Sequence, residues 1–549
     1  MSLQSLFRKK SLSAVRPDEA EGHGAGLHKV LNVRDLTFFG VAAIIGGGTF
    51  SAIGNACFAA GPGVVILYII CAIACGFTAM CYAEFASRVP VSGSAYTYAY
   101  VSFGELFAWI IGWALLMEYS IGNIYIAFSW SGYFTNLVHG LPEYLTINYT
   151  AAHNDFLNNR IGEGYTAWTT APQLFGLRII FDLPAVVINA LITALVFVGT
   201  KESKHFSNAM VVVKLLIITL VVGVGIFQID IDNWSPFMPN GFKGVMAGVS
   251  AVFFAYIGFD AVSTLAEESK DPQRDLPRGM IYSLVICTVI YIILALVLTG
   301  MASYTVLGVT DPLAEIFKIK GMKWMLFIVS IAAVVAMTSV LLVFQMGQPR
   351  IWMSMSRDGL LPKRFASIHP RFKTPGFSTI VTGLVVGIPI FFTDENFVLD
   401  FTSIGTLFAF VLVCGGVLTL PHDQNAHAKG KFKMPYVNSK WIVPIVSLLA
   451  FILIGLKGTD IFFNEKEHTT YNYPIFIFFA FWAVIAVLSF IKEYSLIPVL
   501  GLLSCCYLLT GMGWKNWVMF SVWLVIGLVV YFLYGYRKSK LATTEEPSV

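Results

Sequence analysis

Apolar runs of about 18–25 residues, the length a helix needs to cross a bilayer, recur from one end of the chain to the other. Polar segments separate them, and none shows the alternate-residue pattern of barrel strands. The runs predict helices near residues 36–59, 63–87, 104–138, 178–199, 206–229, 244–267, 279–302, 323–349, 376–393, 399–420, 441–457, 473–491, 495–512 and 515–536, about fourteen in all. Two of them are interrupted. The first contains Gly46, Gly47 and Gly48 in a row, and the sixth contains Gly258 followed by Phe259 and Asp260. Glycine costs a helix interior roughly 1 kcal/mol relative to alanine, so the run needs a reason. Close helix packing is one. The other is a pair of broken helices at corresponding places in two inverted repeats, with a site at the breaks. Unwound backbone survives in a bilayer only where protein or a water-filled cavity satisfies it.

Broken helices carry their own chemistry. The second half of each exposes N–H groups that attract an anion, and the first half exposes C=O groups that attract a cation. Two facing breaks therefore suit a small zwitterion with adjacent carboxylate and ammonium, such as an α-amino acid.

Composition agrees with a polytopic helical membrane protein. The 549 residues are 57% hydrophobic and only 12% charged, about half the charge of a soluble chain. The net charge of +4 says little about partners. Its placement says more: most lysines and arginines fall on the N-terminal side of the predicted topology, so both termini are expected in the cytoplasm. The first 30 residues lack the apolar core of a signal peptide, which makes the first span its own insertion signal. All eight cysteines sit in apolar runs without metal-ligand spacing and read as small packing residues. The nine histidines lie outside the runs, and no G-x-S-x-G stretch stands out, so an enzyme is not expected. The longest polar insertion, 139–177, is a solvated connection or a lid on the outer side. It holds one sequon, Asn148-Tyr149-Thr150.

Few ionisable residues lie deep in the runs. Lys214 sits about two turns inside the fifth. A buried ammonium must find oxygens or lose its proton. Free carbonyls of the first break could supply them, helped by Thr338 and Ser339 on the eighth run, and protonation would then be coupled to transport. The alternative is a stem that snorkels to the headgroups. Glu118 is a proton relay or a structural acceptor. Glu84 and Arg88 lie four apart and read as an ion pair. Asp260 reads as a cap on the second half-helix or a hydrogen-bond partner of it. Glu267 and Glu268 are expected to face the basic segment Lys270 to Arg278. Phe254, next to the sixth-run break, is the candidate gate over the site.

At these residues the chain resembles the amino acid–polyamine–organocation superfamily, and within it the cationic amino acid transporter branch. GGGTF (46–50) is similar to the branch's first-span glycine motif, with Thr49 departing from the usual apolar residue. RVPVSGSAYTYAYVSFGE (88–105), FFAYIGFDAVSTLAEESKDPQRDLPRGM (253–280), MSRDGLLPK (355–363) and TSIGTLFAF (402–410) follow in family order. The C-terminal WKNWVMFSVWLVIGLVVYFLYGYRKS resembles the two additional helices of this branch.

The resemblance implies a LeuT-like all-α fold of about fourteen helices. Residues 34–229 would form the first repeat of five helices, with loop 139–177 outside, and 242–420 the second. About four additional helices would occupy 441–536, between cytoplasmic tails 1–33 and 537–549. It implies amino acid transport by alternating access across the plasma (inner) membrane. The substrate carboxylate would lie on backbone at Ile45, Gly46, Gly47 and Gly48, and the ammonium on carbonyls near Phe254, Ala255 and Ile257. Phe254 would gate the site, and Met337 would fill part of a pocket suited to smaller neutral substrates. Lys214, with Glu118, would couple uptake to protons, and no other cofactor is expected. An exchanger and a non-transporting amino acid sensor are the competing readings. Substrate, stoichiometry and oligomeric state are left open.

Overall fold

The computed structural model describes residues 6–10, 29–90, 93–138, 140–309, 311–393, 395–420, 432–457, 473–512 and 514–544. Parts of both expected tails, and His23, His28, His139, His422, His427 and His468, lie outside the described residues. What is described is nearly all helix. A two-residue ladder, Gln173–Leu174 against Leu177–Arg178, is the one sheet among the described residues.

Eight helical stretches among the described residues are long and apolar enough to cross a membrane. They are Gly48–Arg88, Glu105–Thr135, Asn208–Ile226, Pro272–Met301, Lys323–Arg357, Phe401–Thr419, Tyr473–Lys492 and Trp514–Lys538. Leu183–Val198, Gly376–Phe391, Ile442–Ile452 and Leu496–Thr510 are shorter apolar helices. Gly48–Arg88 joins two expected spans and is interrupted at Gly61–Gly63, where Gly61 takes φ +62°.

Burial separates a centre from a periphery. The most apolar window of Glu105–Thr135 is 83% buried and that of Phe401–Thr419 72%, but those of Tyr473–Lys492 and Trp514–Lys538 are only 22% buried. The central helices therefore meet protein on most sides, and the late ones present apolar faces outward, as lipid-facing helices do. Trp113 and Trp523 stack at 4.8 Å and exchange reciprocal indole-to-carbonyl hydrogen bonds, fixing helix Trp514–Val530 against helix Glu105–Leu137.

Both expected interruptions are present. Helix Val33–Ile44 begins with a capping box, Asn32 and Asp35 each accepting the other's backbone N–H at 3.1 Å. It ends at Ile45, whose backbone is extended (φ −82°, ψ 97°). A π-helical turn, Gly48–Ala52, then leads into helix Ile53–Ala60. Helix Val249–Tyr256 stops at extended Ile257, and Gly258 takes φ +118°, a region glycine reaches without strain. A 3₁₀ segment, Asp260–Glu268, follows.

Of the 139–177 insertion, residues 140–177 form a small folded cap. Helices Tyr149–Leu157 and Glu163–Thr170 close over Ala152, Ala167, Trp168, Ala171 and Ile180. The sequon asparagine is itself a helix cap: Asn148 Oδ1 accepts Ala151 N–H at 2.8 Å. Thr150 ties the cap to the Phe392 carbonyl at 2.8 Å.

Candidate functional site

The two breaks lie against each other. A Cβ on Gly48 would stand 2.4 Å from Ala255 Cα, and one on Gly258 would stand 2.7 Å from Ala43 Cβ. Each glycine thus lets one interrupted helix touch the backbone or short side chain of the other. The other glycines of the run meet side chains: Gly46 faces Val340, and Gly47 faces Ile126 and Tyr125.

Lys214 reaches this junction rather than the headgroups. Its Nζ donates to Ile45 O at 2.6 Å and to Ala42 O at 3.1 Å, and the residue is fully buried. Ala42 and Ile45 lie in the last turn and cap of helix Val33–Ile44, where carbonyls run out of intrahelical donors. Of the two hydroxyls expected to help, Ser339 approaches Ala42 O at 3.4 Å. Thr338 does not take part: it accepts Trp130 Nε1 at 2.8 Å and donates to Val334 O.

Tyr291 is a residue that sequence reasoning missed. Its hydroxyl lies 2.8 Å from both Ile44 O and Ala255 O, one carbonyl from each break. With one proton, it donates to one of them at a time. Thr49 Oγ1 donates to Tyr291 Oη at 3.1 Å, which gives the off-pattern threonine a role: it orients the bridging hydroxyl. A tyrosine in an apolar run looks lipid-facing until the partner helices are known.

Phe254 packs edge-on against Tyr125 with ring centroids 4.8 Å apart. On the side of the breaks away from the chain ends, Tyr133 donates to Phe50 O at 2.7 Å and Tyr125 to Ser51 at 3.2 Å. On the side toward the chain ends, Tyr82, Phe259 and Phe410 close ring against ring. Ile45, Ala255, Ile257 and Met337 are all buried at this level.

Asp260 does not cap the 3₁₀ segment, whose N-cap is Phe259 with no side-chain bond. Its Oδ1 accepts Gly258 N–H at 3.3 Å, but the buried Oδ2 has no protein partner. Glu118 lies close enough to interact with it electrostatically, and Glu118 Oε2 is likewise unpartnered. Buried polar atoms without partners are uncommon and call for a ligand, proton or water. Nearby helix positions add more such atoms, the Tyr82 and Tyr119 hydroxyls and the Asn123 amide.

The acids at the chain-end side pair differently from expectation. Glu268 forms a fully buried ion pair with Arg350, and Glu267 pairs with Arg357 at 2.9 Å, both on helix Lys323–Arg357. Their ion-pair partners are thus arginines of that helix and not the basic segment Lys270 to Arg278. Glu84 and Arg88 do pair, at 2.6 Å.

Comparison with known proteins fits this architecture. The amino acid permease family model matches residues 31–491, and the model for the C-terminus of these permeases matches 494–539. The chain belongs to the amino acid permease family. The permease is 37% identical to the branched-chain amino acid permease BcaP of Bacillus subtilis over 98% of this chain and 99% of that protein. It is 36% identical to the methylthioribose transporter of the same organism, over 98% of this chain and 100% of that protein. It is 34% identical to the chloroplastic cationic amino acid transporter 9 of Arabidopsis thaliana, over 97% of this chain and 92% of that protein. Relatives of nearly equal similarity thus carry names for branched-chain amino acids, methylthioribose and cationic amino acids, so identity alone does not select the cargo of this permease.

Proposed function

We propose that this permease imports α-amino acids across the plasma membrane by alternating access, coupled to protons through Lys214. The observation that carries the reading is the Lys214 ammonium on Ile45 O and Ala42 O, at the broken end of the first span. A tethered cation there does what a bound metal cation would do, and a lysine can give up its charge. A proton taken from outside would hold the first break in shape, and its release inside would loosen it. The substrate carboxylate would sit at Ile45 to Gly48, under Phe254 as gate. The ammonium would sit at the carbonyls near Phe254, Ala255 and Ile257, with the Ala255 carbonyl first given up by Tyr291.

A LeuT-like arrangement of five plus five helices and four peripheral ones is part of this reading. It is supported by interrupted helices five spans apart and by the outward-facing late helices. Residues near both ends of the chain meet on one face, which requires an even number of crossings. Both ends would be cytoplasmic, where the lysines and arginines concentrate.

The test is a thermal-shift screen of the purified permease against the twenty amino acids at two pH values, followed by uptake of each stabilising ligand into proteoliposomes. Ligands of the folded state raise its apparent stability. Binding without proton-driven uptake would leave an exchanger or a sensor. No stabilisation by any amino acid would remove the reading.

The substrate side chain has two candidate environments. Met337, fully buried, would limit its length. Met337→Ser is expected to admit longer substrates, read as a gain in their competition with a labelled substrate of at least about tenfold. An unchanged competition profile would place Met337 outside the pocket. The unpartnered oxygens of Glu118 and Asp260 favour a second reading, a cationic side chain. Asp260→Asn should then weaken cationic substrates by about tenfold or more, leaving neutral ones nearly unchanged. An equal loss for both classes would assign Asp260 to the backbone of the break.

A further inference from the structure

The face on which residues 7–10 and 531–540 meet holds a junction that the transport site does not use. Helix Ala95–Ser102 is almost wholly buried on this side. Ser94, at its start, accepts a hydrogen bond from Ser263 of the second broken span at 2.8 Å. Gly93 approaches Ser354 so closely that a Cβ would lie 3.0 Å from its hydroxyl. The helix therefore wedges between the broken span and helix Lys323–Arg357.

Residues 7–10 and 531–540 both grip that wedge. From the N-terminal side, Arg8 O accepts Glu105 N–H at 3.0 Å, and Lys10 N donates to Tyr100 O at 3.4 Å. Lys10 Nζ forms an ion pair with Asp358 at 2.5 Å, and Tyr96 donates to the other oxygen of Asp358 at 2.8 Å. Phe7 backbone lies where a Cβ on Gly104 would be, 2.7 Å away. From the C-terminal side, Tyr531 donates to Glu105 Oε1 at 2.9 Å, Ser539 to Glu105 Oε2 at 2.5 Å, and Lys540 N to Asp358 O at 3.0 Å. Tyr100 also donates to Glu105. The two segments touch each other where the Arg8 guanidinium lies over the Tyr536 ring.

Glu105 and Asp358 are thus two carboxylates on separate spans, each receiving groups from the wedge and from the chain ends. A buried carboxylate needs such donors, and Glu105 is fully buried. The Lys10–Asp358 pair is different. Its side chains are 23% and 11% exposed, so it can be broken into water.

We propose that residues 7–10 and 531–540 form a clasp that holds the Ala95–Ser102 wedge in place and slows opening on this face. The proposal rests on the alternating-access reading, in which this face must open once per cycle. The Glu105 half is a permanent hinge, built from buried hydrogen bonds. The Lys10 half is the releasable catch, a single ion pair at the water edge. Screening by salt should weaken the catch and leave the hinge.

The test uses full-length permease carrying Ser263→Cys, which places a thiol under the wedge. The rate of its modification by an impermeant thiol reagent, added on the face of the chain ends, reads opening without any transported substrate. The parent without Ser263→Cys gives the background from the native cysteines. Lys10→Ala is expected to raise the rate about threefold to fivefold, the size of effect one partly exposed ion pair produces. Removal of residues 539–549 should raise it at least as much. Combining Lys10→Asp with Asp358→Lys should return the rate toward the parental value. Parental rates in folded Lys10→Ala protein, or no recovery in the exchanged pair, would overturn the clasp. If the truncated chain does not fold, Lys10→Ala and the exchanged pair decide alone. Because the readout is opening and not uptake, the clasp can fail while proton-coupled transport stands, and the reverse.

Discussion

Replacing Lys214 by alanine is expected to abolish uptake driven by a pH gradient. The ammonium lies 2.6 Å from Ile45 O and 3.1 Å from Ala42 O, fully buried, and the nearest hydroxyl to Ala42 O, that of Ser339, is 3.4 Å away and donates to Ala336 O at 2.7 Å. Without it, Ile45 O loses its donor inside the protein, at a cost of about 1–3 kcal/mol per unsatisfied buried group. The first break then has no protonatable group to tie its shape to the gradient. Lys214→Arg separates the two duties of the side chain. A guanidinium keeps the charge and the hydrogen bonds but does not deprotonate in proteins. The arginine variant should still bind amino acid in a thermal-shift assay, yet accumulate none against a gradient in proteoliposomes. Accumulation by Lys214→Ala that still follows the imposed pH difference would end the coupling proposal. Counterflow surviving in that variant while accumulation is lost would show that binding and exchange need only the breaks.

How much of this could be read along the chain follows from what a linear pattern contains. Hydrophobic run length finds spans, and glycines side by side find the breaks, because both are local properties of backbone and bilayer. Lys214 was visible for the same reason: one ammonium in an apolar run has few places to go. Which helix faces which is not local. Tyr291 lies 247 residues from Ile44 and 36 from Ala255, and only packing brings its hydroxyl to both carbonyls. Glu268 has basic neighbours in sequence, yet pairs with Arg350, 82 residues away. Asp260 looks like a cap in the sequence, yet its bonded oxygen accepts from Gly258, ahead of the 3₁₀ segment. Its other oxygen gains meaning only when Glu118 arrives from the third span. Thr49 was unexplained by the pattern for the same reason, since its partner is on the seventh span.

The three consecutive glycines are not equivalent, and alanine substitution should separate them. At Gly48 a Cβ would stand 2.4 Å from Ala255 Cα and 3.1 Å from Ala255 N, so the atoms in the way are backbone. They cannot rotate aside; the two broken spans must move apart. The carboxylate and ammonium positions lie on those spans, so the shift misplaces one half of the site relative to the other. A misplacement of about 1 Å can cost about 100-fold, and Gly48→Ala is expected to lower uptake by that order. At Gly46 the obstacle is the Val340 Cγ2 methyl, 2.2 Å away, with the remaining Val340 atoms at 3.2 Å or more. That is a side chain, so trimming it with Val340→Ala should restore much of the uptake lost in Gly46→Ala. No companion substitution at position 255 should rescue Gly48→Ala, because every residue type keeps the Cα. Gly76, whose added Cβ meets nothing within 4 Å, is the control: Gly76→Ala should leave uptake unchanged and raise thermal stability slightly. Full uptake by Gly48→Ala would mean that the breaks separate widely during transport, and the substrate would then have to be held by side chains instead of backbone.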